Sequence, residues 1–254
     1  MEATQTSPNR AGYQDKSVLG EEVARFDALA GQWWDPDGPM RPLHRMNRTR
    51  IDWIDTRLHA RFGPGGVRIL DLGCGAGLAA EALARRGHDV LGVDAAGEAI
   101  AAARAHAAET EARTGSVLRL AYRQGSAEAL LAEGARFPAI SALEVIEHVA
   151  DPAAFLRLLA ALLEPGGVLF VSTLNRTLRS LLTAKIGAEY VLRLLPAGTH
   201  DWRKFITPAE LGAQARQAGL RLTDTAGMAP DPLSGRWHLT RDTGVNYIAA
   251  FSLG

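Results

Sequence analysis

The stretch VRILDLGCGAGLAA, residues 67–80, constrains the fold more than any other part of the chain. An apolar run rises into Gly73, Gly75 and Gly77, and helical spacing begins at once. Glycines in such a turn take positive φ and let backbone N–H groups approach a ligand closely. A strand that ends in a glycine turn and passes straight into a helix is half of a βα unit, and the chain repeats the unit. Strand-length apolar runs recur at 67–72, 89–94, 117–123, 137–143 and 167–173, with helical segments at about 77–87, 96–112, 126–132 and 152–163 between them. Strand-like segments at 220–227 and 246–252 close the chain. The alternation predicts an α/β fold with a doubly wound, mostly parallel sheet. Asp151 before Pro152 reads as a helix N-cap, and TPAE at 207–210 as a capping box.

Ahead of this core, residues 1–16 are polar and expected to be disordered. Residues 17–64 read as an N-terminal helical extension. Its two segments, 18–34 and 43–62, gather Phe26 and Leu29, then Ile51, Ile54 and Leu58, on one face each, with DPDGP between them. Residues 65–253 form the core domain. Lys and Arg total 28, as do Asp and Glu, so no whole-molecule field favours nucleic acid. Cys74 is the only cysteine, which agrees with a reducing, cytoplasmic setting. No apolar run reaches the roughly 18–20 residues of a membrane-spanning helix.

The glycine loop invites a nucleotide, and its details select which kind. A dinucleotide fingerprint wants glycine at the first, third and sixth positions; here the sixth is Leu78. Asp71 precedes the loop, where a pyrophosphate would be repelled. A carboxylate there suits a cationic ligand, such as the amino and sulfonium groups of S-adenosylmethionine. Asp94, twenty-one residues after Gly73, ends the second strand and is positioned to accept hydrogen bonds from ribose hydroxyls. Asp94 serves NAD and S-adenosylmethionine alike; the competing reading is that Asp71 and Asp94 only cap loops. In LEVIEHVADP (143–152), Glu144, Glu147 and His148 stand at i, i+3 and i+4. If a helix starts there they share a face and can hold a divalent ion; otherwise His148 packs locally and the glutamates are solvated.

LDLGCGAG, Asp94 and LLEPGGVLFVST (162–173) resemble the motifs of class I S-adenosylmethionine-dependent methyltransferases. That resemblance implies a Rossmann-like, seven-stranded sheet whose last strand is antiparallel, with Ser126 and Ala127 near the adenine. A closer resemblance spans nearly the whole chain. ARFDALAGQWWDPDGPMRPLHRMN (24–47), STLNRT (172–177), GAEYVLRLLPAGTHDWRKFITPAEL (187–211) and VNYI (245–248) are similar to the bacterial ubiquinone biosynthesis O-methyltransferases. The family methylates catechol-type hydroxyls of polyprenylated intermediates, which implies O-methylation of 3-demethylubiquinol and of 2-polyprenyl-6-hydroxyphenol. Carried over by motif, Arg50, Gly73, Asp94 and Leu143 contact the cofactor, joined by Asp71 and Gly75 from the loop reading and by Ser126, which the class I resemblance implies. Glu144, Glu147 and His148 match an acidic–histidine cluster assigned to Mg²⁺, with His148 the candidate catalytic residue. His200 and Asp201 in THDWRKF form a possible proton-accepting pair, although solvent-facing polarity is the preferred reading.

The insert 176–196, RTLRSLLTAKIGAEYVLRLLP, is apolar and dotted with Arg176, Arg179, Lys185 and Arg193. On a helical wheel, Leu178, Leu181, Leu182 and Ile186 share one side, and past Gly187 the apolar side rotates by about a quarter turn. Two short amphipathic helices of this kind can lie on an anionic membrane surface. The alternatives are a cap over the active site, burial against the sheet or a dimer contact. With a polyprenylated substrate, the membrane-docking reading is preferred, which implies a cytoplasmic enzyme attached peripherally to the inner membrane and a neighbour of other ubiquinone-synthesis enzymes. Competing functions are a methyltransferase for another small phenolic acceptor, a non-catalytic subunit of a ubiquinone-synthesis assembly and, disfavoured by Leu78, an NAD-dependent dehydrogenase.

Overall fold

The computed structural model describes residues 17–177, 179–180, 202–231 and 233–253, with Arg203 described by its backbone alone. The terminus 1–16, most of the insert 176–196 and the pair His200–Asp201 lie outside the described residues. Two helices, α1 (Gly20–Leu29) and α2 (Arg41–Phe62), lead into β1 (Arg68–Leu72) and α3 (Leu78–Ala84). β2 (Asp89–Asp94), α4 (Gly97–Thr114), β3 (Leu120–Gln124), α5 (Ala127–Ala132) and β4 (Phe137–Leu143) follow. Then come α6 (Pro152–Leu162), β5 (Leu163–Leu174), α7 (Pro208–Gln217), β6 (Leu220–Pro230), β7 (Trp237–Thr240) and β8 (Asn246–Leu253).

The strands form one sheet in the order β3-β2-β1-β4-β5-β8-β6-β7. β1 to β5 are parallel, and β8 runs antiparallel between β5 and β6. Alternation along each strand feeds two cores. On one face, Leu70, Ile140, Leu169 and Phe251 pack with Phe155, Leu156 and Leu159 of α6. On the other, Ile69, Ala139, Phe170 and Ile248 pack with Ile51, Trp53, Ile54 and Leu58 of α2 and Leu83 of α3. Burial on both faces explains why β5 reads as an unbroken apolar run rather than an alternating one. Chain order reverses between β1 and β4, so a crevice opens beyond the carboxyl ends of these strands.

Among the described residues the sheet has eight strands where seven are expected. The extra one, β7, forms because the chain folds back at 231–236: the Asp231 carboxylate accepts from the N–H groups of Leu233 and Ser234, and Asp231 N–H donates to Arg236 O. Thr49 of α2 then ties this short edge strand down by donating to Trp237 O at 2.9 Å. The third strand begins at Leu120 rather than 117, because Gly115 ends α4 in the left-handed region and Val117 stands 87 % exposed in the connection. Both caps form as expected. Asp151 accepts from the N–H groups of Ala153 and Ala154, and Thr207 and Glu210 complete a capping box. Among the described residues, no helix is long and apolar enough to cross a membrane.

His88 links α2 to the sheet. It is fully buried; its Nδ1 accepts from Val67 N–H at 3.2 Å, which leaves Nε2 to donate to Asp55 Oδ1 at 2.9 Å. Replacement by Leu strands a buried N–H and removes a carboxylate's partner. His88→Leu is expected to lower unfolding stability by about 2–3 kcal/mol while leaving cofactor affinity unchanged. Urea denaturation and titration calorimetry together check this; an unchanged midpoint would contradict it.

Candidate active site

The end of β2 organises the glycine loop. Gly73 N–H donates to Val93 O at 2.7 Å, and Gly75 N–H to Asp94 Oδ2 at 2.8 Å. The other Asp94 oxygen accepts from Ala96 N–H at 2.9 Å. Both carboxylate oxygens therefore fix backbone, and each retains a lone pair for a ribose hydroxyl. Burial pushes the Asp94 carboxyl up from its usual value, with the hydrogen bonds from Ala96 and Gly75 pulling the other way. Gly73, Gly75 and Gly77 all take positive φ. At Gly75 a side chain is excluded on two counts: φ is 53°, and a Cβ would sit 2.2 Å from Trp33 Cζ2.

Gly125 N–H donates to Asp94 O at 2.9 Å, which carries Ser126 to the same rim. Ser126 is buried, and its Oγ caps α5 by accepting from Ala129 N–H. Its role as a helix cap accounts for the residue type without a ligand.

Beneath the loop lies a small recess lined by Trp33, Leu43, Arg50, Asp71, Gly73, Cys74, Leu78, Ala79 and Leu143. Asp71 and Arg50 are both buried, at 2 % and 3 % exposure. Ser141 Oγ donates to Asp71 Oδ1 at 2.7 Å, whereas Asp71 Oδ2 has no hydrogen-bond partner among the described residues. Asn47 joins α2 to the loop by donating to Leu78 O, and it accepts from Arg50 Nε at 3.0 Å. The Nη1 of Arg50 is also left without a hydrogen-bond partner among the described residues. Burial pushes the Asp71 carboxyl up to about 6, against the hydrogen bond from Ser141 and the charge of Arg50. The same burial pushes the Arg50 guanidinium down, while Glu144 and Asp71 favour its charge. A buried donor on a cation and a buried acceptor on an anion thus share one wall, complementary to a zwitterion.

The sequence expectation for Glu144, Glu147 and His148 needs correction. No α-helix starts at Glu144; Ile146–His148 make one 3₁₀ turn. Glu144 instead continues from β4, its N–H donating to Ser172 O, with a φ of 58° that no other described non-glycine residue shares in sign. Such a conformation costs on the order of 1 kcal/mol and gathers at functional sites. The three side chains then diverge. Glu144 accepts from Ser172 Oγ at 2.7 Å and from Asn246 Nδ2 at 3.4 Å. Glu147 turns inward, accepting from Thr173 Oγ1 at 2.8 Å. Burial, and then the nearby charge of Glu144, push the Glu147 carboxyl well above its ordinary range. His148 Nδ1 lies 3.2 Å from Glu22 Oε2 of α1, and Phe26 meets the imidazole edge-on. Among the described residues, no group of three or more His, Cys, Asp or Glu side chains is arranged to hold a metal ion. The donors expected for Mg²⁺ do not fit one in this arrangement.

Of the expected cofactor residues, the structure brings Arg50, Asp71, Gly73 and Leu143 to one recess and Gly75 with Asp94 to its rim. Trp33, Leu43, Cys74, Leu78 and Ala79 complete the lining and were not anticipated as cofactor residues. Only the adjacent tryptophans of GQWWD hinted at Trp33.

Comparison with known proteins fits this geometry. A family described as "Methyltransferase domain" matches residues 43–225. Relatives named "Ubiquinone biosynthesis O-methyltransferase" include one from Azorhizobium caulinodans, 51 % identical, covering 89 % of this chain and 90 % of that protein. Another, from Dinoroseobacter shibae, is 49 % identical over 92 % of this chain and 96 % of its own length. Among solved structures, magnesium protoporphyrin IX methyltransferase from Synechocystis PCC 6803 with bound SAH superposes with a TM-score of 0.65. It is 19 % identical, over 92 % of this chain and 100 % of the other. A possible histamine N-methyltransferase from Thermotoga maritima gives 0.61 at 18 % identity, over 93 % and 100 % of the two chains. The chain belongs to the ubiquinone biosynthesis O-methyltransferase family of S-adenosylmethionine-dependent methyltransferases.

Proposed function

We propose that this enzyme transfers the sulfonium methyl of S-adenosylmethionine to a catechol-type hydroxyl of a polyprenylated ring. It does so at both O-methylations of ubiquinone synthesis, on 3-demethylubiquinol and on 2-polyprenyl-6-hydroxyphenol. The observation that carries the reading is the pairing of unpartnered polar atoms on Arg50 and Asp71 in one buried recess, beside the Asp94-clamped loop. Arg50 and Asp71 take the amino-acid end of the cofactor, Asp94 the ribose, Leu143 the methionine chain and the Ser126 segment the adenine. In the reaction the S–CH₃ bond breaks as the O–CH₃ bond forms, yielding S-adenosylhomocysteine, and the hydroxyl proton goes to a base. We assign that base to His148, whose Nδ1 faces Glu22 at 3.2 Å. Positioning supplies most of the rate, since the attacking oxygen must lie in line with the methyl–sulfur bond.

The insert carries the second half of the proposal, that the cytoplasmic enzyme docks peripherally on the inner membrane, where its substrate and other ubiquinone-synthesis enzymes reside. Arg179 pairs with Asp242, but the two side chains are 65 % and 54 % exposed. Such a surface pair contributes little to stability, and the docking proposal is supported by the apolar, basic sequence of the insert.

Two measurements test the transfer reaction. Purified enzyme given a demethylated prenyl quinol is expected to methylate it faster than a soluble catechol, with and without EDTA or added Mg²⁺. His148→Gln is expected to lower kcat by roughly a hundredfold with cofactor binding retained. Preference for the soluble catechol would favour a different phenolic substrate, absence of turnover a non-catalytic subunit, and dependence on Mg²⁺ a rearranged donor cluster.

Asp71 sets a pH dependence. Its carboxylate attracts the cofactor ammonium only when ionised, so affinity is expected to be flat above about pH 6 and to weaken as pH falls below it. Calorimetry between pH 5 and 8, on the order of one step per half unit, reads this directly; an affinity that rises on acidification would refute it. Finally, anionic liposomes are expected to cosediment the wild type and to release an Arg179→Glu, Lys185→Glu variant. If the wild type stays in solution, the docking proposal fails.

A further inference from the structure

Trp33 is 6 % exposed, yet its indole Nε1 has no hydrogen-bond partner among the described residues. An indole N–H buried in a folded protein nearly always finds an acceptor, so one without calls for an explanation. Its neighbour behaves ordinarily: Trp34 Nε1 donates to Ala76 O at 2.9 Å. Nor is Trp33 loosely held. His44 Nε2 lies 2.8 Å from Trp33 O, and Trp34 stacks on His106, whose Nδ1 is 2.7 Å from Glu81 Oε2. The ring of Trp33 lies so close over Gly75 that only glycine is tolerated there. The chain thus fixes an unsatisfied donor at the wall of the recess that also holds Arg50 and Asp71.

Polarity decides what the recess is complementary to. Two buried donors, Trp33 Nε1 and Arg50 Nη1, and one buried acceptor, Asp71 Oδ2, are unpartnered on its lining. An α-amino acid end presents the inverse set: a carboxylate that accepts twice and an ammonium that donates. We propose that Trp33 is a cofactor-binding residue, its indole N–H joining Arg50 on the carboxylate of S-adenosylmethionine while Asp71 receives the ammonium. The segment between α1 and α2 thereby completes the cofactor site from outside the Rossmann-like core. This rests on the S-adenosylmethionine reading above and adds to it the end of the cofactor that Trp33 recognises.

The test separates donor from packing by using two ligands on the full chain. Titration calorimetry compares wild type and Trp33→Phe, each with S-adenosylmethionine and with 5′-methylthioadenosine, which lacks the amino-acid end. Loss of a hydrogen bond to a charged group predicts roughly tenfold weaker S-adenosylmethionine binding or more, with methylthioadenosine affinity unchanged. Equal loss for both ligands would mean that Trp33 acts by packing alone, and no loss that it contributes nothing; either overturns the proposal. A thermal melt shows whether Trp33→Phe is folded. Should it not be, the benzothiophene isostere of tryptophan at position 33 removes the N–H and keeps the ring, with the same two outcomes. A wild type that binds neither nucleoside would instead sink the cofactor assignment itself.

Discussion

The carboxylate of Asp94 is the constraint on which the site depends. One oxygen holds the glycine loop through Gly75 N–H, the other holds the start of α4 through Ala96 N–H, and its carbonyl holds Gly125. Three connections that the parallel sheet sends past its carboxyl edge are thereby tied to one residue. Because β2 lies between β1 and β3, a displacement at its tip would move the loops after all three strands together. The preceding residue adds to this, since Val93 O accepts from both Gly73 and Cys74 N–H. A loop clamped this way reaches a ligand already ordered, so binding does not bear the cost of arranging it.

Behind the clamp the protein accepts the opposite situation, buried polar atoms left without partners. Burying an unpaired donor or acceptor typically costs about 1–3 kcal/mol, and Arg50 Nη1, Asp71 Oδ2 and Trp33 Nε1 gather around one recess. Arg50 and Asp71 favour each other's charge without a hydrogen bond between them in the structure, which moderates that cost. The stability given up at such a place is returned when a ligand that binds only the folded state arrives. Remote hydrogen bonds such as those of His88, and the caps on α6 and α7, stabilise the frame that keeps these groups in place.

Much of this was legible in the sequence because it rests on local signals. Strand-length apolar runs set between segments of helical period located β1, β2, β4 and β5, and the caps at Asp151 and Thr207 marked helix starts, since side-chain capping is written within four residues. The glycine turn after β1 was equally plain, because glycine types at fixed spacing report a backbone that must turn. β7 was not legible. Its four residues are half-exposed and carry no alternation, and they pair only because the Asp231 turn folds them onto β6. Trp33 showed in the sequence only as one of two adjacent tryptophans, because what sets it apart is an N–H lacking a partner, and a missing partner leaves no trace in a linear string.

The acidic–histidine stretch shows most clearly where spacing misleads. The pattern i, i+3, i+4 puts three side chains on one face only if a helix is present. Val149 returns to extended backbone directly after one 3₁₀ turn, two residues ahead of the Asp151 cap that starts α6. The left-handed backbone at Glu144 then aims that carboxylate at β5 and β8, toward Ser172 and Asn246, while Glu147 is drawn under the sheet to Thr173. His148 goes the other way, to Glu22 and Phe26 of the N-terminal helix. The stretch therefore works as a junction between β4, β5, β8 and α1. α1 meets this stretch at His148, and the segment after α1 packs Trp33 over Gly75, so the N-terminal extension contacts both the loop after β4 and the loop after β1.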